Sequence, residues 1–371
     1  MTATITLADL PMATDREASW QALRDHGPVF EMDGAYYVTS DAGIDAVLHD
    51  PGTFSSKLAF DVLGSPVPLV PLAFDPPEHM RYRRMLAPFF SPGVIGRLYD
   101  GLREQVADLI APLAAAGECE VVEALCVPFP SQVFLTLMGL PLEDTDRLVG
   151  WKTAVIAATT PGQSENADVS AALELFTYLT ESIVSRRGAT DDSLWTRVIN
   201  DPSEDALSDE ELLGLGFLLV LAGLDTVTST LSIAFERLAK EPELRARLAS
   251  DPEQIPEFIE ELVRLDPVAT FTPRVTSQDT VLEGVPLAAG SHVVMVFAAA
   301  NRDTEERHWG FGGGVHRCLG SHLARAELKL VLEEWLKRIP DFTFAPGFEP
   351  RMEWPISLLG FDRLQLTYPP A

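Results

Sequence analysis

The chain has 371 residues, 46% of them hydrophobic, and sets 28 basic against 55 acidic side chains for a net charge of −27. That sign excludes bulk attraction to nucleic acid, and the apolar fraction is ample for a large core. Three cysteines, Cys119, Cys126 and Cys318, are too few for a disulfide framework and fit a reducing cytosol.

Residues 1–28 carry no basic segment followed by an apolar run, so neither a signal peptide nor a membrane anchor is expected. Glu17 opens a short amphipathic helix that Gly27-Pro28 ends. Val29–Met32 and Ala35–Thr39, joined by Asp33-Gly34, read as a hairpin, and Ser40 as the N-cap of a helix through Leu48. Residues 55–73 are irregular, with Pro66, Pro68 and Pro71 among apolar neighbours. They suit a pocket lining and a packed surface loop equally. After Asp75-Pro76-Pro77 a helix places His79 and Arg83 four apart on one face, two donors suited to a pair of carboxylates.

Residues 98–116 read as helix and 118–122 as a short strand. Cys119 and Cys126 have neither histidine neighbours nor a Cys-x-x-Cys spacing, and are read as structural. Residues 131–195 read as helices with loops at Pro141 and Pro161-Gly162, and show no chemistry of their own. Ser208–Glu211 is a capping box that opens a long apolar helix from Leu212 to Phe235, whose one charge is Asp225. That length could span a bilayer, but a central carboxylate with Gly214, Gly216 and Gly223 suits a helix buried in protein. Within it, Ala222-Gly223-Leu224-Asp225-Thr226 puts an acid beside an alcohol, which apolar surroundings tolerate only with partners. Thr226 can bond the carbonyl one turn back and loosen the helix there. Pro256–Leu265 is the next helix, with Glu261 and Arg264 three apart, and strand-like pieces continue to Val296.

The stretch Phe311–Gly320 sets Cys318 behind a glycine-rich turn and ahead of a helical run from Ser321 to Ile339. A thiol at a helix start, among free N–H groups, favours the thiolate. Glycines let the backbone pass close to a flat group, and such a thiolate suits axial ligation of haem iron. Taken alone, the decapeptide also fits a small structural cysteine.

Phe311-x-Gly313-x-x-x-x-Cys318-x-Gly320, with His316 two residues before the cysteine, resembles the haem-binding signature of the cytochrome P450 family. His79-x-x-x-Arg83, Ala222–Thr226 and Glu261-x-x-Arg264 resemble three further motifs and occur in the family's order. The resemblance implies a mainly α fold with small β-sheets: one large domain over residues 1–371, a long central helix over the haem, and β-rich parts near 29–39 and 268–297. It implies haem b with iron bound by Cys318, and propionates bound by His79, Arg83, Arg274 and His316. Ala222, Gly223, Phe311 and Gly320 would surround the ring, Asp225 and Thr226 would deliver protons, and Glu261–Arg264 would be a structural ion pair.

The activity implied is monooxygenation, a hydroxylation or epoxidation, of an apolar small molecule such as a terpenoid, steroid or fatty acid. O2 and two electrons from a ferredoxin- or flavodoxin-type donor would be used, in the cytoplasm. A haem peroxygenase and a non-catalytic haem-binding protein are the alternatives; the Asp225-Thr226 pair weighs against both. The substrate pocket is expected near 58–72, 218–226, 268–272 and 356–359, and Arg81, Arg84, Arg317, Arg325 and Lys329 are a candidate docking patch. Near 303–308 the chain is markedly shorter than the family pattern. Either Arg307 completes the Glu261–Arg264 network or the network is incomplete, and a real shortening implies weaker haem retention or lower stability.

Overall fold

The computed structural model describes residues 6–61, 65–159, 169–355 and 358–370. Its first elements start and stop where local chemistry tells them to. Asp15 accepts the Ala18 N–H at 2.9 Å and caps α1 (Arg16–Arg24). Asp33 (φ 52°) and Gly34 (φ 76°) are both left-handed, the geometry of a tight hairpin turn between β1 (Val29–Met32) and β2 (Ala35–Val38). Ser40 accepts from Gly43 N–H at 3.0 Å and opens α2 (Asp41–His49).

β3 (Phe54–Ser55) and α3 (Ser56–Asp61) lead to the proline segment and then to α4 (Glu78–Leu86), which carries His79 and Arg83. α5 (Pro92–Ala116) begins at Pro92, ahead of the expected residue 98, because Pro92 fits a first helical turn; Gly117 ends it at φ 79°. The strand expected over 118–122 is the shorter β4 (Glu118–Glu120). α6 (Pro128–Met138), α7 (Thr145–Thr159), α8 (Val169–Arg186) and α9 (Leu194–Ile199) follow. The loop expected at Pro161-Gly162 lies outside the described residues.

The helix expected to run unbroken through Asp225 is two helices. The capping box of Ser208 and Glu211 opens α10 (Asp209–Gly223), Leu224 interrupts, and α11 (Asp225–Lys240) continues. Thr226 Oγ1 donates to the Ala222 carbonyl at 2.9 Å, and Gly223 stiffens nothing at that point. The pair is apolar and long enough to cross a membrane by composition, but here it packs against α6, α7, α8 and α15 inside the protein.

α12 (Pro242–Ser250) and α13 (Ile255–Leu265) precede β5 (Phe271–Thr276), β6 (Thr280–Leu282), β7 (Val285–Leu287), β8 (His292–Val296) and α14 (Phe297–Ala300). The cysteine turn opens α15 (Ser321–Arg338), and β9 (Thr343–Phe344) and β10 (Gln365–Thr367) close the chain. The main sheet runs β1-β2-β8-β5-β3; β2 and β8 are parallel and the other pairings antiparallel, with Arg274 opposite Val293. β4-β10-β9 and β6-β7 are the small sheets. A largely helical body with small sheets is thus what the motifs implied. One apolar core extends from Leu10 to Tyr368 around Trp20, Phe235 and Trp335, and a smaller cluster with Val38, Ile44 and Trp309 lies under the main sheet.

Candidate haem-thiolate site

The cysteine turn is fixed by its own backbone. Gly312 N–H donates to the Trp309 carbonyl at 2.7 Å, and Cys318 N–H to the Phe311 carbonyl at 2.8 Å. Gly314 has φ 58°, and a Cβ there would lie 2.0 Å from the Leu48 carbonyl oxygen, so α2 dictates glycine at this position. Gly320, by contrast, faces open space. Cys318 presents accessible surface although protein surrounds it, so it looks into an internal space.

Burial pushes the Cys318 thiol up; the Gly320 N–H and then Arg83, Arg325 and Arg317 pull it down without prevailing. The expected thiolate therefore does not follow from the helix start alone. A cation bound at the sulfur would reverse the balance.

Above this turn, Ala222 and Gly223 are exposed although they belong to a central helix, and nothing lies within 4 Å of a Cβ at Gly223. The break between α10 and α11 thus borders the same kind of open space. Asp225 turns the other way. Lys152 Nζ on α7 donates to its Oδ1 at 2.5 Å, and Oδ2 is buried without a partner. Lys152 is itself buried, so the segment read as free of chemistry supplies the partner of the one acid in the apolar helix. Asp362, on the C-terminal loop, feels the same pair: burial raises its carboxyl, Glu353 and Asp225 add to this, and Lys152 opposes it.

The basic groups converge as expected. The His79 and His316 rings lie 4.1 Å apart, and His79 Nδ1 and His316 Nε2 are buried without hydrogen-bond partners. Arg274 is buried, and its guanidinium donates to the carbonyl of neighbouring Pro273 at 2.7 Å; Arg83 forms no ion pair among the described residues. Burial, then Arg83 and Arg274 against the opposing charge of Asp75, push His79 down to about 4; burial, then Arg274, His79 and Arg83, push His316 down to about 3. Burial takes Arg274 down to about 10 and lowers Arg83 as well. Asp75 is the acid whose charge reaches His79 and Arg274, but its oxygens already accept from Ser55 Oγ and Ser56 N–H. Two buried donors, His79 and Arg274, and two half-buried ones, Arg83 and His316, whose charges disfavour one another, are a cradle for an external dianion. With Cys318 and the open faces of Gly223 and Gly320, they fit haem and its two carboxylates.

Glu261 takes both Nε and Nη2 of Arg264, at 2.7 and 2.8 Å. Arg264 Nη1 donates to the Asn301 carbonyl, and Asn301 Oδ1 accepts the Trp309 N–H at 2.7 Å. The ion pair thereby reaches the cysteine turn through Asn301. Arg307 does not join it: Asp41 and Asp45 on α2 hold its guanidinium, being nearer than Glu261. The candidate docking patch is also corrected. Glu211 binds Arg81 with both oxygens, Asp205 pairs with Arg84, Glu260 with Arg325 and Glu333 with Lys329. Of these five, Arg317 alone is exposed and forms no ion pair among the described residues.

The proline-rich segment lies directly on α10. A Cβ at Gly214 would stand 1.9 Å from the Pro68 carbonyl oxygen. Phe60, Val67, Pro68, Leu69 and Phe74 line a cavity of about 350 Å³ there, which none of the basic donors touches. Of the other pocket segments, Ala269 is exposed while Val268 and Leu359 are buried and bonded through their backbones. Ile356 lies outside the described residues. Cys126 is buried and Cys119 bonds Tyr368; neither belongs to a metal-ligand group among the described residues.

A family model described as Cytochrome P450 matches residues 177–307. A mycinamicin IV hydroxylase/epoxidase of Micromonospora griseorubida is 34% identical over 80% of this chain and 78% of its own length. An erythromycin C-12 hydroxylase of Saccharopolyspora erythraea is 32% identical over 91% of each chain. A solved structure of a mutant of P450 EryK with erythromycin B superposes with a TM-score of 0.84 at 29% identity, covering 94% of this chain and 95% of that one. This chain belongs to the cytochrome P450 family and is a P450 monooxygenase.

Proposed function

We propose that this P450 uses haem b, held by Cys318 at iron and by His79, Arg83, Arg274 and His316 at the propionates, to hydroxylate or epoxidise a largely apolar small molecule. The observation that carries the reading is the basic cradle, whose buried His79 Nδ1 and His316 Nε2 lack partners. Bound haem supplies the oxygen-activating chemistry; the thiolate donates electron density to it. The chain's own residues do the rest. Asp225 and Thr226 stand at the helix break: Thr226 passes protons toward the open space beside Gly223, and Asp225, held here by Lys152, supplies them on turning from that lysine. Ala222, Gly223, Phe311 and Gly320 shape the ring's surroundings, and Glu261–Arg264 braces the cysteine turn.

Terpenoids, steroids and fatty acids form the first substrate screen, and the substrates named for the relatives, mycinamicin IV and erythromycin, extend it. The electron donor is a small ferredoxin or flavodoxin of the cytoplasm that meets the cysteine side, with Arg317 the cation left free to attract it. Charge reversal at Arg317 is expected to slow reduction and leave substrate binding unchanged.

The decisive experiment is the absorption spectrum of the reduced, CO-bound protein. A strongly red-shifted Soret band is expected; an unshifted band, or loss of nothing on Cys318→Ser, would sink the assignment. Product formation with O2 and a surrogate redox pair separates a monooxygenase from a silent haem carrier.

A further inference from the structure

Glu260 and Glu261 are neighbours on α13, but a helix turns them to different partners. Glu261 faces Arg264, whereas Glu260 gathers the two ends of the cysteine turn. Its Oε1 accepts Arg325 Nε at 2.5 Å, and its Oε2 accepts Arg325 Nη2 at 2.8 Å. His308 Nε2 lies 3.1 Å from the same Oε2. His308 Nδ1 accepts the Gly310 N–H at 3.1 Å, so the ring proton sits on Nε2 and points at Glu260.

Phe311 fills the space between the two donors. The Arg325 guanidinium lies 4.2 Å from its ring centroid and the His308 ring 6.1 Å from it. The Phe311 carbonyl in turn accepts the Cys318 N–H. There is no slack where the turn leaves α13, because a Cβ at Gly310 would lie 2.4 Å from Val263. Arg325 also bears on the sulfur directly, as one of the charges that favour the Cys318 thiolate.

We propose that Glu260 is a positioning residue for the iron-ligating thiolate: it holds His308 and Arg325 so that Phe311 stays in place, and it sets how much of the Arg325 charge Cys318 feels. This rests on Cys318 being the ligand. An exposed ion pair is worth little, and the Glu260 side chain is 41% exposed. The fork of Arg325 and the more buried His308 are what make this carboxylate more than a surface pair. It ties the turn to α13 and α15 at the point where the chain is shorter than the family pattern.

The test begins with the CO spectrum of the parent protein; without a thiolate signature the ligand reading fails, whatever the variants do. Given that signature, Glu260→Gln keeps the shape and removes the charge. It is expected to raise the reduction potential of the haem, because Arg325 is left unbalanced. It is also expected to release haem to an acceptor globin about 10-fold faster, the usual scale for losing a group behind a metal ligand. Glu260→Asp should restore part of both effects, and Arg325→Lys should speed haem release without raising the potential. If Glu260→Gln does not fold, Arg325→Lys and His308→Gln give the haem-release reading. A folded Glu260→Gln protein with parental potential and parental release rate would overturn the proposal.

Discussion

Lys152→Met tests whether the buried Lys152–Asp225 pair anchors the helix break. The two side chains are 6% and 16% exposed and 2.5 Å apart, and Asp225 Oδ2 has no other partner. Removing the ammonium leaves a carboxylate in apolar surroundings, which costs about 3–5 kcal/mol. Replacing both groups at once, Lys152→Met with Asp225→Asn, leaves no charge behind, so the double variant should be more stable than the sum of the singles by about 3 kcal/mol. For 371 residues the unfolding entropy is about 0.8 kcal/mol/K, so the single change should lower Tm by about 4–6 °C. Urea titrations of the four proteins of this cycle, with thermal scans beside them, measure both quantities. A loss below about 1 kcal/mol with additive singles would show that the pair is solvated and that Lys152 is a bystander.

Thr226→Ala should leave haem content intact while diverting electrons into peroxide; oxygen consumed per product formed measures this, and unchanged coupling would remove Thr226 from the proton path. Gly214→Ala sets a methyl group against the Pro68 carbonyl and should cost about 1–3 kcal/mol. It should also weaken the spin-state response to substrate with haem content unchanged, and an unaltered titration would separate the proline loop from the pocket. The histidines give a pH test. His79 falls from 6.5 to about 4 and His316 from 6.5 to about 3, so below 6.5 the unfolded chain binds protons that the folded haem-free chain refuses. Stability of the haem-free protein should therefore be full above pH 6.5 and fall as pH drops through about 4 to about 3. Haem carboxylates would offset the arginine charges and flatten that decline; parallel denaturation curves for loaded and haem-free protein would argue against the cradle.

What was legible in the sequence is what lies within one turn or one helix. His79 and Arg83 share a face because they are four apart, Glu261 meets Arg264 because they are three apart, and Ser208 meets Glu211 across a capping box. The cysteine turn belongs to the same class, since its glycines and its N–H donor to Phe311 lie within ten residues of one another. The hydroxyl of Thr226 foretold a loosened helix but not a full break, because the strength of a back-bond depends on how the following turn is packed.

Composition and spacing by themselves determined that this chain is acidic, largely helical and built around one candidate ligand cysteine with basic donors far from it in sequence. Only the tertiary structure decided which charges meet. Lys152 reaches Asp225 across 73 residues, Arg325 reaches Glu260 across 65, and Arg81 reaches Glu211 across 130. Those pairings turned a supposed basic patch into neutral ion pairs and withdrew Arg307 to α2. They also left His79, Arg83, Arg274 and His316 as a basic cluster that no carboxylate pairs with among the described residues, although the charge of Asp75 reaches His79 and Arg274. The reason is physical: a periodic pattern fixes which face of a helix a charge occupies, whereas the partner that neutralises it is set by how separate elements pack.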